Sequence, residues 1–378
     1  MRFKSYVLLA MTTAANQFSL AESREIVRDL FAPKQWIYWC DFLFTIAVGH
    51  TCFLFARLIF EASWEPRLAR WALAALVFGF QCACFYRAVM FVHEIVHLPS
   101  KKFVAFRVAW NLLCGIPFLV PSFTYYPHLV HHRRATFGTR ADAEYLPLAS
   151  MSPWWIVAYL SQCLWVPLLA ILRFGILTPL MWFCPPLRRF IHQHASSLVA
   201  NPAYIRPLPT AAELRSIRLQ EAGCFFFLLG LVVIARVVLH RWPYPVLIQG
   251  YATAVTLVLM NSLRTVASHR WISEGKSSTF IQQMLDSVTL DNDSLLAVLI
   301  NPVGLRYHAT HHLFPSMPYH NMRSAHKRLM QQLPPSSPYR RTVEHSMWQV
   351  IGELWRTAAT HRSTERIAYG QVTGAGSA

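Results

Sequence analysis

Residues 36–60, 71–96, 221–239 and 243–263 are apolar runs long enough to cross a bilayer, because a hydrocarbon core of about 30 Å takes about 20 helical residues. Inside hydrocarbon every backbone N–H and C=O needs an internal partner, so such runs fold as helices. Only 14% of the 378 residues are charged and 54% are hydrophobic, whereas a soluble domain carries about 25% charged residues. An aqueous globule is excluded. The pattern predicts an all-α integral membrane protein with about four transmembrane helices plus re-entrant or interfacial helices.

Two shorter apolar stretches do not read as simple spans. Residues 103–120 are interrupted by Arg107, Asn111, Gly115 and Pro117 and connect two histidine clusters, so they are expected to be re-entrant or to lie along the interface. Residues 154–183 hold Pro167, Arg173, Gly175 and Pro179; an interfacial helix pair is favoured over a hairpin, since Pro and Arg burden a straight span. The expected organisation is a cytoplasmic N-terminal segment over 1–35, one membrane domain over 36–362 and a flexible tail over 363–378. The first residues outline a signal peptide only faintly, and their apolar core is too short for one.

The net charge of +17 decides orientation. Lys101, Lys102, Arg133, Arg134, Arg188 and Arg189 fall on the face that also carries both ends of a four-span chain. Basic loops choose the inner side, so the termini and all histidine clusters are expected to be cytoplasmic, with a bacterial inner membrane as the setting. The same charge suits membrane lipids with anionic headgroups or an acidic partner. Nucleic acid is not expected, because the Arg residues are scattered among apolar spans and form no basic-aromatic module. The eight cysteines include no C-x-x-C, which excludes zinc-ribbon and simple iron–sulfur spacings; they are expected to be buried small hydrophobes.

The chemistry lies in the histidines. His93 and His97 stand at i, i+4; His128, His131 and His132 form H-x-x-H-H, and His308, His311 and His312 repeat it. On a helix these spacings share one face, so each trio is expected to point at one place. With 17 histidines in the chain, about 0.03 H-x-x-H-H matches arise by chance, so two are a strong signal. His269, just past the last apolar run, is a ninth candidate. Nine imidazoles exceed one tetrahedral zinc and suit two metals. His50 and His240 are expected to be structural and His192, His194, His345 and His361 to lie at the surface; His320 and His326, which follow the third cluster, are minor candidates for groups beside the site. His93-Glu94-Ile95-Val96-His97 also satisfies the H-E-x-x-H of zinc proteases. That alternative leaves both H-x-x-H-H arrays unused, and the Asp-Gly motif of intramembrane metalloproteases is absent.

With these boxes in this order, the chain resembles the membrane fatty acid desaturase family over roughly residues 36–328. The third box lies within Asn301-Pro302-x-Gly304 and is followed by Leu313-Phe314-Pro315-x-x-Pro318-Tyr319-His320-Asn321. The resemblance implies a non-haem di-iron site in a cytoplasmic helical cap, with two Fe as cofactor and O2 as co-substrate. Its ligands would be His93, His97, His128, His131, His132, His269, His308, His311 and His312. Glu94, Asp142, Arg264, Asn301 and His320 are the candidate groups around them. Thr265 stands where animal acyl-CoA desaturases place a water-bridging Asn, so that feature is not implied. No side-chain nucleophile is needed, since the metal carries the oxidation. The chain has no His-Pro-Gly-Gly cytochrome b5 motif, so an external donor, ferredoxin-like or cytochrome b5-like, is implied. The expected activity is desaturation of a lipid acyl chain. The alternatives on the same fold are fatty acid hydroxylation and oxidative decarboxylation to terminal alkenes, and a non-catalytic metal-binding membrane protein ranks below both.

Overall fold

The structure, a computed structural model, describes residues 18–99, 101–273 and 275–374. Most of the N-terminal segment and the last four positions of the tail lie outside the described residues. The final helix runs Met347–Gly374, into the stretch that composition marks as a tail.

Five helices are long and apolar enough to cross a membrane: α1 Gln35–Glu61, α2 Arg67–His97, α3 Val166–Phe183, α4 Ala211–Val238 and α5 Tyr244–Ser268. Helix α1 buries Tyr38, Phe42, Thr45, Ile46, Gly49 and Ala56, a helical stripe packed along α2. Gly49 is required there, because a Cβ would stand 2.5 Å from the Phe85 ring. Its outer face exposes Phe44, Leu54, Phe55, Leu58 and Phe60, as a lipid-facing surface does. One ion pair crosses this apolar interface, Arg87 with Asp41, and Tyr319 donates to the same carboxylate at 2.6 Å. Almost every residue of α2 from Phe85 to Val96 is buried, so α2 is the central pillar.

Sequence alone gives four spans; α3 is the fifth candidate. The objection to it was Arg173, and the structure answers that charge. Arg173 pairs with Glu221 of α4 and donates to Thr178 Oγ1 at 2.8 Å, to Ser196 Oγ at 3.0 Å and to the Ala195 carbonyl at 2.8 Å. His192, expected at the surface, is buried beside Glu221. Val104–Gly115 is too short to cross; Phe106 and Trp110 anchor it, and Trp110 donates to the Ala88 carbonyl at 2.8 Å.

The four cysteines 82, 114, 163 and 224 are buried, but Cys40 and Cys184 are exposed. That departs from the burial expected for all eight, because an apolar outer face accommodates a thiol as readily as a core does.

After α5 the chain folds over the helix ends as a cap. It holds α6 Phe280–Asp286, α7 His308–Leu313 and α8 Tyr319–Gln332, with a two-residue parallel pairing of Thr289–Leu290 and Val343–Glu344. Trp271, Met284, Phe314, Met322, Leu329 and Tyr339 form its core. The backbone at Val303 and Gly304 turns left-handed, φ 53° and 70°. A Cβ on Gly304 would stand 3.0 Å from the Tyr319 carbonyl, so the loop into α7 packs directly on the start of α8.

Candidate metal centre

Each histidine arrives on a rigid piece of backbone. His93 and His97 end α2, one turn apart. Pro127 caps a single helical turn, His128–His131, and His132 closes it. His308, His311 and His312 lie on α7, while His269 follows α5 in extended backbone, φ −133° and ψ 157°. All nine are brought together, in two groups: His93, His97, His128, His132 and His311, and His131, His269, His308 and His312. Within each group one ring nitrogen per residue lies within 4.8 Å of the others.

This division corrects the expectation that each H-x-x-H-H trio points at one place. His128 and His132 serve the first group while His131 between them serves the second; His308 and His312 serve the second while His311 serves the first. The i, i+4 pair lies along one line of the helix, and the i+3 residue is rotated far enough to reach the neighbouring centre. The two boxes are therefore interleaved, and the groups touch: the His132 and His312 rings are 4.5 Å apart.

The hydrogen bonds show what the groups require. Asp142 accepts from His131 Nδ1 at 2.9 Å, Glu144 from His128 Nδ1 at 3.0 Å and Asp286 from His269 Nδ1 at 3.1 Å. A proton held on Nδ1 leaves Nε2 as a bare lone pair. Yet His131 Nε2 faces His269 Nε2 at 3.3 Å. His308 Nε2 stands 3.0 Å from His269 Nε2, and His132 Nε2 stands 3.0 Å from His128 Nε2 and 2.9 Å from His311 Nε2. At His131 and His269 both Nδ1 atoms are held by carboxylates, so their two Nε2 lone pairs face each other and repel unless a proton or a metal cation lies between them. Both nitrogens of His93 are buried without a hydrogen-bond partner, as is His97 Nε2. Two metal ions, one in each group, would satisfy this donor set.

Protonation favours the same outcome. Burial, with the neighbouring imidazoles, holds His128, His132, His308, His311 and His312 well below the usual histidine range, so they stay neutral, the form that binds metal. Burial also lowers His269, against the pull of Asp286. At His131 burial is outweighed by Asp142, which raises it, and His131 in turn holds Asp142 low against burial.

The expected supporting residues divide. Asp142 bonds the candidate ligand His131. Glu94 does not bond His93: its Oε1 is 3.8 Å from Nδ1, and its other oxygen accepts from Tyr38 at 2.8 Å and the Tyr319 N–H at 3.1 Å. It ties α1, α2 and α8 together, which also removes it from the role of protease base. Asn301 donates to the Ala297 carbonyl at 3.0 Å, and His320 bonds Asn321 and the Lys34 N–H; both turn away from the histidines. Arg264 bonds Thr265 at 2.9 Å and Asn261 at 3.2 Å. His326 faces Tyr339 at 2.7 Å. Sequence reasoning missed Glu144 and Asp286. An acid two residues beyond Asp142 signalled the first; nothing in the sequence marks the second, which α6 delivers.

The sequence pattern described as Fatty acid desaturase matches residues 66–343. The chain belongs to the fatty acid desaturase family. A ceramide hydroxylase from Caulobacter vibrioides (strain NA1000 / CB15N) is 36% identical over 348 residues, which is 92% of this chain and 96% of that protein. The chain is thus a multi-pass membrane oxidoreductase of the di-iron histidine-box class. His131 and His269 meet at 3.3 Å although three apolar helices, α3, α4 and α5, lie between them in the chain.

Proposed function

We propose that this protein is an O2-dependent di-iron hydroxylase of a ceramide-class lipid, with the nine histidines as its metal ligands. The observation that carries the substrate class is the near full-length similarity to a ceramide hydroxylase. It reverses the order drawn from sequence, where desaturation came first. Iron bound by these imidazoles supplies the oxidising power that an unactivated C–H bond demands. The chain's own residues do the rest. Asp142, Glu144 and Asp286 fix three imidazole tautomers, and the cap seals the site from water. Hydroxylation consumes one O2, two electrons and two protons, places one oxygen in the C–H bond and releases one water; desaturation with the same inputs removes two hydrogens and releases two waters. The test is lipid mass spectrometry of cells with and without the gene, supplied with a defined ceramide. Gain of one oxygen is expected. Loss of two hydrogens, with no oxygen gained, returns the assignment to desaturation.

The electrons come from a ferredoxin-like or cytochrome b5-like donor on the cytoplasmic side. His97 and His132 are the least buried histidines of the centre, and exposed Lys101, Lys102, Arg133 and Arg134 follow them directly. Charge complementarity there speeds encounter with an acidic carrier. Arg133→Glu with Arg134→Glu is expected to raise the donor KM about tenfold at low salt and to flatten its salt dependence, with iron content unchanged. A cysteine at Lys101 should be labelled by an impermeant reagent only in inside-out vesicles. An unaltered donor KM, or labelling from the outside, overturns this docking face.

A further inference from the structure

On the membrane side of the histidines lies a second polar cluster that holds none of the candidate ligands. Arg264 stands on α5, five residues before His269, and Tyr86 on α2, seven before His93. Tyr125, Glu144 and Tyr159 complete it, and Arg264 and Tyr125 are each electrostatic neighbours of the other four. Arg264 is 4% exposed. Its guanidinium meets the neutral oxygens of Thr265 and Asn261, and no carboxylate of the described residues lies within ion-pair distance. The Tyr86 hydroxyl, the Tyr125 hydroxyl and Glu144 Oε1 are buried and make no hydrogen bond of normal geometry; their nearest polar neighbours are each other, Tyr125 beside Glu144 and Tyr86 beside Arg264. The other Glu144 oxygen is held by His128. The Tyr125 ring stacks on His128 at 4.8 Å and lies 6.2 Å from His93. The cluster is thus one side chain away from the first histidine group.

A hydrocarbon chain does not fit this inventory. A buried polar atom without a good partner costs about 1–3 kcal/mol, and a methylene segment leaves these groups only each other. What satisfies them is a compact group with a carbonyl acceptor beside O–H or N–H donors. The carbonyl accepts from Arg264 and a tyrosine hydroxyl, and a hydroxyl or amide N–H donates to Glu144 Oε1. We infer that Arg264, Tyr86, Tyr125 and Glu144 bind the polar amide–hydroxyl head of the lipid, so that the oxidised carbon lies within a few bonds of the head and not in mid-chain. The inference deepens the proposed hydroxylase function and rests on it. It also supplies what an apolar tunnel lacks, a fixed end from which position along the chain is measured.

The test uses full-length iron-loaded protein in lipid nanodiscs, with a ceramide and a chain-matched free fatty acid as alternative substrates. Wild-type protein is expected to prefer the ceramide and to give a single hydroxyl position near the head. Tyr86→Phe and Tyr125→Phe each remove one hydroxyl and little volume. Each should raise the ceramide KM about tenfold, the equivalent of one well-placed hydrogen bond, with wild-type iron content. Arg264→Gln should also scatter the hydroxyl position in tandem mass spectra. If Arg264→Gln fails to accumulate, the two Tyr→Phe variants decide. Should all variants that accumulate keep the wild-type KM and a single product position, the cluster is filled by water and the inference is wrong. A wild-type enzyme that makes no oxygenated ceramide fails at a different step and overturns the hydroxylase proposal itself.

Discussion

His269→Ala is expected to abolish product while expression and membrane insertion stay near wild type. His269 belongs to no histidine box. It is brought to the centre by α5, and its Nε2 stands 3.0 Å from His308 and 3.3 Å from His131. Its removal leaves the second group with three imidazoles out of four. Losing only an oriented partner of a ligand typically lowers affinity or activity 10–100-fold, so losing the ligand itself should exceed about 100-fold. Asp286→Asn tests the same arm more gently. Asn can still accept from Nδ1, but without the charge that favours that tautomer, so an effect of about 10–100-fold is expected. His345 is exposed, and His345→Ala serves as the control. The measurement is product by mass spectrometry beside iron per chain for each variant. Wild-type activity with full iron in His269→Ala would falsify the nine-ligand assignment.

The part of this centre legible in sequence was the part that local geometry controls. Helical spacing at positions i, i+3 and i+4 made both H-x-x-H-H trios visible as ligand sets. The apolar runs made α1, α2, α4 and α5 visible as spans. What local geometry does not control was read wrongly or not at all. Spacing alone sends three rings to one centre; only the opposing box, docked from the other side, shows that His131 and His311 cross over. Asp286 reaches His269 because α6 folds back along the isolated pairing of His269 with Ser287, a tertiary event without a sequence signal. Arg173 argued against placing 154–183 in an apolar setting until Glu221, on another helix, paired with it. The Arg87–Asp41 pair between α1 and α2 joins two charges 46 residues apart in sequence, a pairing that neither apolar run reveals by itself. Glu94 shows a different limit. Adjacency to His93 in sequence suggested a role at the metal, but consecutive helical positions diverge by about 100°, and its carboxylate turns to Tyr38 instead.

Removing the metal should loosen the cap and spare the spans. In the nine-histidine arrangement at least three Nε2 lone pairs are fixed inward by carboxylates, and burial opposes protonating most of these rings. Without a cation between them, the rings repel or must turn outward. The segments that carry them, residues 128–145 and 269–313, pack partly through Phe137, Trp271 and Met284, so the repulsion should loosen them locally without unfolding the chain. A metal present at a thousand times its dissociation constant contributes about 4 kcal/mol to the folded state. For a chain of this size that corresponds to roughly 5–10 °C in melting temperature. Chelator-stripped protein is therefore expected to melt lower by about that margin and to be nicked by protease within 128–145 and 269–313. Helices α1 and α2 should stay protected, since their contacts run through Phe42, Phe85 and Phe91 and need no metal. Restoring Fe(II) should restore both the melt and the protection, and Fe(II) should do so in the His345→Ala control but not fully in His269→Ala. Stripped protein, verified by metal analysis, that melts and resists cleavage like the loaded form would mean that the histidine cluster is held by packing alone. The facing lone pairs would then have to be reconciled by protons, and the case for two metals made from these nitrogens would be lost.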